Sequence, residues 1–148
     1  MVHATELKPE SLIAALRKGD FYGSSGVTLD EVTFSDGKLH IRIHGEPSVT
    51  YSTKIIGTPE GFDETTQQTT SPEGDPHPTR TTYSSDVGKT FATLSGEDIT
   101  YALTGKELYV RAVITSTKPH ENPSFEGQTQ MAWTQPVGWE KRVPAAVK

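Results

Sequence analysis

The chain has 148 residues, the size of one ordinary domain, and only 32% of them are apolar, which favours a β-rich fold with polar loops over a helical bundle. Its formal net charge of -5, with Lys and Arg scattered, argues against nucleic acid as a partner, and no apolar run approaches the roughly 20 residues of a membrane span. The absence of cysteine excludes a disulfide framework and thiolate chemistry.

The first predicted element is a short helix that begins at Pro9 and ends at Lys18. Proline suits the first helical turn, and the glycine that follows Lys18 suits a left-handed cap. Three apolar residues recur at helical spacing: Leu12, Ile13 and Leu16. A helix this short is marginal in water by itself, so we expect its apolar stripe to pack against another surface. The aromatic pair Phe21 and Tyr22 follows in a glycine-rich turn.

A β-hairpin is the next predicted element. Val32 and Phe34 alternate with polar residues up to Asp36-Gly37, a dipeptide typical of two-residue hairpin turns. The return strand carries apolar residues at alternate positions, which are Leu39, Ile41 and Ile43. Further apolar alternation between residues 49 and 56 predicts another strand.

The strongest strand pattern lies at residues 107–114 and predicts the centre of the core. Its buried face is expected to carry Leu108, Val110, Ala112 and Ile114. Residues 99–103 alternate in the same way, and the short link at 104–106 predicts that the two runs form one hairpin. Trp133, in a third short strand, is expected in the core. These patterns predict an antiparallel β-sandwich, immunoglobulin-like or jelly-roll-like, preceded by one short helix, with a small barrel as the alternative.

The remaining segments lack periodicity. Residues 58–80 are predicted to form a long polar loop, either a binding loop or a mobile excursion. The predicted organisation is therefore a helix with its exit turn at 1–26, a β-sandwich at 27–138 and a tail at 139–148.

Two sets of residues resemble metal ligands, but neither has a suitable spacing. His40 and His44 share one face of a strand, yet at about 3.3 Å per residue they lie roughly 13 Å apart. Glu73, Asp75 and His77 alternate in a loop that two prolines stiffen. Because no nucleophile motif or phosphate-binding loop occurs either, we predict no catalytic, cofactor-binding or metal-ligating residue and a chain that is not itself an enzyme.

Exposed aromatic rings are the other candidate feature. Phe125 and Trp139 lie in segments without strand periodicity, where their rings are free to stack on a sugar. This observation supports an alternative interpretation, in which the chain is a carbohydrate-binding β-sandwich module.

Four segments resemble the carboxy-terminal part of bacterial hydrolases of the polymerase and histidinol phosphatase (PHP) superfamily. They are ESLIAALRKGDFYGSSGV at 10–27, YSSDVGK at 83–89, ELYVRAVITSTKPHENP at 107–123 and AWTQPV at 132–137. In that superfamily the first segment is the last helix after a metal-binding barrel, and a β-rich domain follows. The resemblance therefore implies the same arrangement here.

The resemblance does not extend to the metal-binding motifs of those hydrolases, such as His-x-His, which precede these segments. None of the five histidines stands in such a motif: His3, His40, His44, His77 and His120. The resemblance thus implies a non-catalytic accessory domain that packs on an upstream catalytic barrel of the same parent chain. We expect the docking surface to comprise Leu12, Ile13, Leu16, Phe21 and Tyr22.

Overall fold

The computed structural model describes residues 1–70, 73 and 79–140. Its regular elements are α1 (Pro9–Lys18), β1 (Gly23–Ser24), β2 (Leu29–Ser35), β3 (Lys38–Ile43), β4 (Tyr51–Pro59), β5 (Thr66–Thr70), β6 (Thr79–Tyr83), β7 (Lys89–Ser95), β8 (Asp98–Ala102), β9 (Glu107–Pro119) and β10 (Thr129–Trp133). All paired strands are antiparallel, in a five-stranded sheet ordered β1-β10-β9-β4-β7, a three-stranded sheet ordered β2-β3-β8 and a separate β5-β6 hairpin. The predicted all-β sandwich with one preceding helix is confirmed.

The hydrophobic core is built from inward-facing residues of the two larger sheets. Leu39 and Ile41 from β3 have no exposed surface, and the same is true of Ile55, Val110 and Ile114 from the five-stranded sheet. Burying each such side chain stabilises the fold by about 1.5–3 kcal/mol. The predicted buried face of β9 is confirmed for three of its four residues, whereas Leu108 is only half-buried.

Helix α1 has the predicted bounds, and its ends are held by the backbone. Gly19 adopts a left-handed conformation with φ of 78°, and the N–H of Asp20 donates to the carbonyl of Ala15 at 2.9 Å. Within the helix only Ala15 is buried. Val2 forms a β-bridge with Phe21, so the segments before and after the helix are paired with each other. The helix consequently lies on a closed loop and leaves most of its apolar stripe exposed.

The predicted hairpin at Asp36-Gly37 is confirmed. Both turn residues have positive φ, 51° and 69°, as a type I′ turn requires, and Ser35 pairs with Lys38 across it.

The predicted hairpin between residues 99–103 and 107–114 is wrong. Strand β8 pairs with β3 in the small sheet, while β9 pairs with β4 and β10 in the large one. The link at 104–106 therefore crosses from one sheet to the other. Alternation identifies a half-buried strand but does not identify its partner, because side-chain period carries no information about which edge is paired.

The prediction of a structureless loop at 58–80 is also wrong in part. Strand β4 continues to Pro59, and β5 pairs with β6 over five residues each. Every residue of β5 and β6 is exposed. Both faces of this hairpin are polar, so it shows none of the hydrophobic alternation from which strands are recognised. Its threonines nonetheless favour extended backbone.

Trp133 does not occupy the predicted core position. In β10 the inward side chain is that of Ala132, while Trp133 is half-buried on the opposite face beside Gly23. Gly23 and its neighbour Ser24 form β1, which pairs with β10. The exit turn after the helix therefore contributes a short outer strand to the large sheet.

Candidate functional site

A groove of about 790 Å³ opens on one flank of the sandwich. It lies between strand β2, the end of helix α1 with its exit turn, and the segment 135–140. We call it the flank groove and define it by six of its apolar lining residues, which are Leu16, Phe21, Tyr22, Val32, Phe34 and Trp139.

The groove exists because β2 is an outer strand of the small sheet. Val32 and Phe34 lie opposite Ile41 and Leu39 of β3 and share their inward face. Ile41 and Leu39 have no exposed surface, yet Val32 remains 38% exposed and Phe34 is only half-buried. Among the residues that the structure describes, no strand pairs with the outer edge of β2. Core-facing side chains are consequently accessible from this flank.

Local contacts hold the segments next to the groove in place. The Tyr22 hydroxyl accepts a hydrogen bond of 2.9 Å from the N–H of Leu29, which ties the exit turn to the start of β2. Gly138 passes beside Leu103 and Phe34 with φ of 86°, and a β-carbon there would lie 2.7 Å from a Leu103 methyl group. Only glycine fits this crossing without strain.

Exposed apolar side chains concentrate around the groove. In the described part of the chain, ten large apolar residues are exposed, and half of them line this cavity: Met1, Val2, Leu16, Val32 and Trp139. A concentration of this kind on one face is typical of an interaction site, whereas single exposed apolar residues are ordinary.

The charged groups at the rim of the groove carry both signs. The Asp30 carboxylate contacts the His44 imidazole at 3.1 Å, and Glu31 forms an ion pair of 3.3 Å with Arg42, so these two carboxylates are already partnered. Further along the rim stand two basic residues at the end of α1 and two acidic ones: Arg17, Lys18, Asp20 and Glu140. A rim that carries both positive and negative charges does not favour the binding of a polyanion.

The structure places the residues predicted for docking in two groups. Leu16, Phe21 and Tyr22 line the groove. Ile13, 49% exposed, and the half-buried Leu12 lie on the helix outside its lining. Trp139, which the sequence suggested for sugar stacking, joins the first group. No sequence pattern marked Val32 as accessible, because its alternation is the same as that of a covered strand.

Phe125 and Trp139 belong to segments at opposite ends of β9. Trp139 follows Val137, which is bridged to Val110 near the start of β9, whereas Phe125 follows the end of β9 at Pro119. Val110 and Pro119 are nine residues apart, which corresponds to roughly 30 Å along the strand. A second cavity of about 500 Å³, lined by Tyr51, Glu97 and several hydroxyl side chains, does not include Phe125.

The two strand histidines considered for metal binding each contact a carboxylate. His40 contacts Asp98 and His44 contacts Asp30, each at 3.1 Å. Within the described ranges, no group of three or more His, Asp or Glu side chains is arranged to hold a metal. Asp75 and His77 lie outside the described residues. Ser24 donates a hydrogen bond of 2.6 Å to the carbonyl of Val27 and so fixes the turn.

A buried carboxylate, that of Glu107, belongs to a structural network. Among the described residues Glu107 alone is a buried acidic residue, and it accepts hydrogen bonds from the Tyr101 hydroxyl at 2.9 Å and from the Thr104 hydroxyl at 3.0 Å. Burial opposes ionisation, but these bonds and those from the backbone N–H of Thr104 and Gly105 lower the pKa of Glu107. Burial and the neighbouring carboxylate raise the pKa of Tyr101 to about 12. The network fixes the crossover between the sheets.

Comparisons with known proteins return no match: no family model, no curated protein and no solved structure resembles this chain significantly. The resemblance to the PHP superfamily remains a prediction from the four segments named above. The described part of the chain also has no helix with the length and apolar character that crossing a membrane requires.

Proposed function

We propose that the chain is a non-catalytic accessory domain that docks on a protein partner through the flank groove. The observation that carries this proposal is the gathering of exposed apolar side chains around a groove that reaches core-facing residues of β2. Covering such a surface removes apolar area from water, and this burial stabilises a complex by about 25 cal/mol for each Å² of apolar surface.

The proposed partner is a metal-dependent phosphoesterase-like catalytic domain. This part of the proposal rests on the four segments that resemble the PHP hydrolases, in which a β-rich domain follows the catalytic barrel. Helix α1 fits such a role because much of its apolar stripe is exposed in the described structure. Leu16 is 48% exposed and Ile13 is 49% exposed.

A protein surface suits the groove better than a sugar does. Sugar sites combine stacking rings with polar groups that fix the hydroxyls. Among the described lining residues, Trp139 is the one Phe, Tyr or Trp with an exposed ring, and Phe21 and Tyr22 are half-buried. Trp139 and Phe125 also follow opposite ends of β9, an arrangement that does not favour the two-ring platform of the carbohydrate-binding alternative.

Site-specific photo-crosslinking in the cell that makes the protein tests the proposal. A photo-reactive amino acid replaces Leu16 in the groove and, in the matched control, replaces Tyr83, which is 67% exposed outside it. The expected result is a cross-link from position 16, and none from position 83, to a peptide of a metal-dependent phosphoesterase-like domain. A cross-link to a glycan, to a second copy of the chain or to nothing at all would overturn it.

A further inference from the structure

We infer that the flank groove recognises an extended segment of its partner, which adds to the small sheet as a strand beside β2. This inference rests on the proposed function, since both place a protein in the groove. It goes further because it specifies the backbone conformation of the partner segment and the backbone groups of β2 that would bind it.

The pairing register identifies which backbone groups of β2 are free. Ser35 and Lys38 flank a two-residue turn, so they exchange hydrogen bonds, and Thr33 forms the next bonded pair with His40. The N–H and C=O groups of Val32 and Phe34 therefore point away from β3. Among the residues that the structure describes, none is bonded to these outward groups.

The side chains beside this free edge specify what the added strand must carry. Val32 and Phe34 face inward but remain accessible, and Leu16 and Trp139 also line the groove. In a strand added beside β2, alternate residues would face the groove and the others would face solvent. The fitting partner is therefore an extended peptide with apolar residues at every second position and no proline where it bonds to Val32.

Strand addition accounts for both the accessible apolar side chains and the outward backbone groups of β2, whereas helix docking accounts only for the side chains. A docked helix satisfies its own backbone, so it would cover the apolar wall while leaving the N–H and C=O groups of Val32 and Phe34 without partners. An added strand covers both, since its main chain supplies affinity and its alternating side chains supply specificity.

The experiment uses the full chain as bait for a displayed library of random peptides longer than β2. Selected peptides are expected to share apolar residues at alternate positions. An enriched spacing of three and four residues indicates a helix and would overturn strand addition while leaving groove docking intact. Failure to enrich any peptide would also overturn it.

Two substitutions separate backbone from side-chain recognition. Val32→Pro removes the outward N–H without touching the bonds to β3, and proline is tolerated at such edge positions. Val32→Ala keeps that N–H and trims the side chain. We expect the proline variant to bind the selected peptide roughly tenfold more weakly than the alanine variant, because one main-chain hydrogen bond is lost. Equal affinities would contradict the inference.

A second measurement keeps the test decisive even if the proline variant does not fold. Amide hydrogen exchange is followed by NMR in the unaltered chain with and without the selected peptide. Exchange at Val32 and Phe34 is expected to slow when the peptide binds, whereas Thr33, already bonded to β3, changes little. Unchanged exchange at Val32 and Phe34 in the peptide complex would overturn strand addition.

Discussion

Val32 lies directly opposite Ile41 across the β2–β3 pairing, yet Val32 keeps 38% of its surface exposed and Ile41 keeps none. Two apolar side chains on the same inward face of one sheet thus have opposite environments. Ile41 lies in a central strand and Val32 in an outer strand. The difference in their exposed surface therefore shows that this flank of the sandwich is open to solvent. The candidate site arises from this incomplete cover.

Removing the side chain of Leu16 is expected to affect stability little. Leu16→Ala deletes a side chain that is about half exposed, and we expect the free energy of unfolding to fall by about 1 kcal/mol or less. The matched control Ile41→Ala empties a fully buried site and should cost about 2–5 kcal/mol. Urea denaturation of both variants checks this, and a large loss at Leu16 would mean that the chain itself buries it.

The carboxylate of Glu107 should make the fold sensitive to acid. Its pKa is lower in the folded chain than its usual value of 4.5, so its stabilising contribution is present above that value and is lost as the pH falls through the lower, folded value. Glu107→Gln removes this dependence. We expect the wild-type protein to lose more stability than the variant when urea denaturation is repeated from neutral pH down to about pH 3.

At neutral pH the same substitution should destabilise the crossover. The carboxylate accepts several hydrogen bonds in a buried setting, and an amide cannot accept all of them, so a loss of about 1–3 kcal/mol is expected. A variant as stable as the wild type at pH 7 would show that the network contributes nothing net.

Two buried threonines should respond oppositely to the same change. The hydroxyl of Thr53 has no hydrogen-bond partner in the described residues, so Thr53→Val is expected to stabilise the fold by roughly 1 kcal/mol. The hydroxyl of Thr134 accepts the N–H of Ala112 at 2.9 Å, and Thr134→Val should cost about 1–3 kcal/mol by leaving that N–H unpaired. Thermal unfolding of the two variants measures both effects. Shifts of the same sign would refute this account of the hydroxyls.

Gly57 in β4 should not tolerate a side chain. A β-carbon at this position would overlap the carbonyl oxygen of Tyr109 in the neighbouring strand, so Gly57→Ala should destabilise the fold by about 1–3 kcal/mol or more. At Gly23 a β-carbon would meet only the Trp133 ring at 3.6 Å, an ordinary contact. Gly23→Ala is therefore the control, and its midpoint in urea should move less than that of Gly57→Ala.

Sequence patterns predicted the elements whose apolar residues recur at a regular spacing. The helix, the Asp36-Gly37 hairpin and the buried face of β9 follow from local spacing, because each pattern reports on its own segment. The partner of β8 could not be predicted, since its alternation fits pairing with β9 as well as with β3. The β5–β6 hairpin is polar on both faces and has no pattern to recognise.

The candidate site was predictable only in part. Leu16, Phe21 and Tyr22 stand out because a helix stripe and an aromatic pair are visible in the sequence. Val32 does not, since its accessibility depends on the absence of a neighbouring strand. Trp139 belongs beside them because Val137 bridges to Val110, a long-range contact that no local pattern encodes.

Amide hydrogen exchange of the free chain, followed by NMR at single residues, tests the open flank most directly. Thr33 and Ile41 should exchange slowly, because their strand neighbours hold their N–H groups, while Val32 and Phe34 exchange rapidly. This contrast, above all between Thr33 and its two neighbours in β2, is the result the account predicts. Slow exchange at all four positions would mean that the outer edge of β2 is already covered, and the flank groove would not be a docking site.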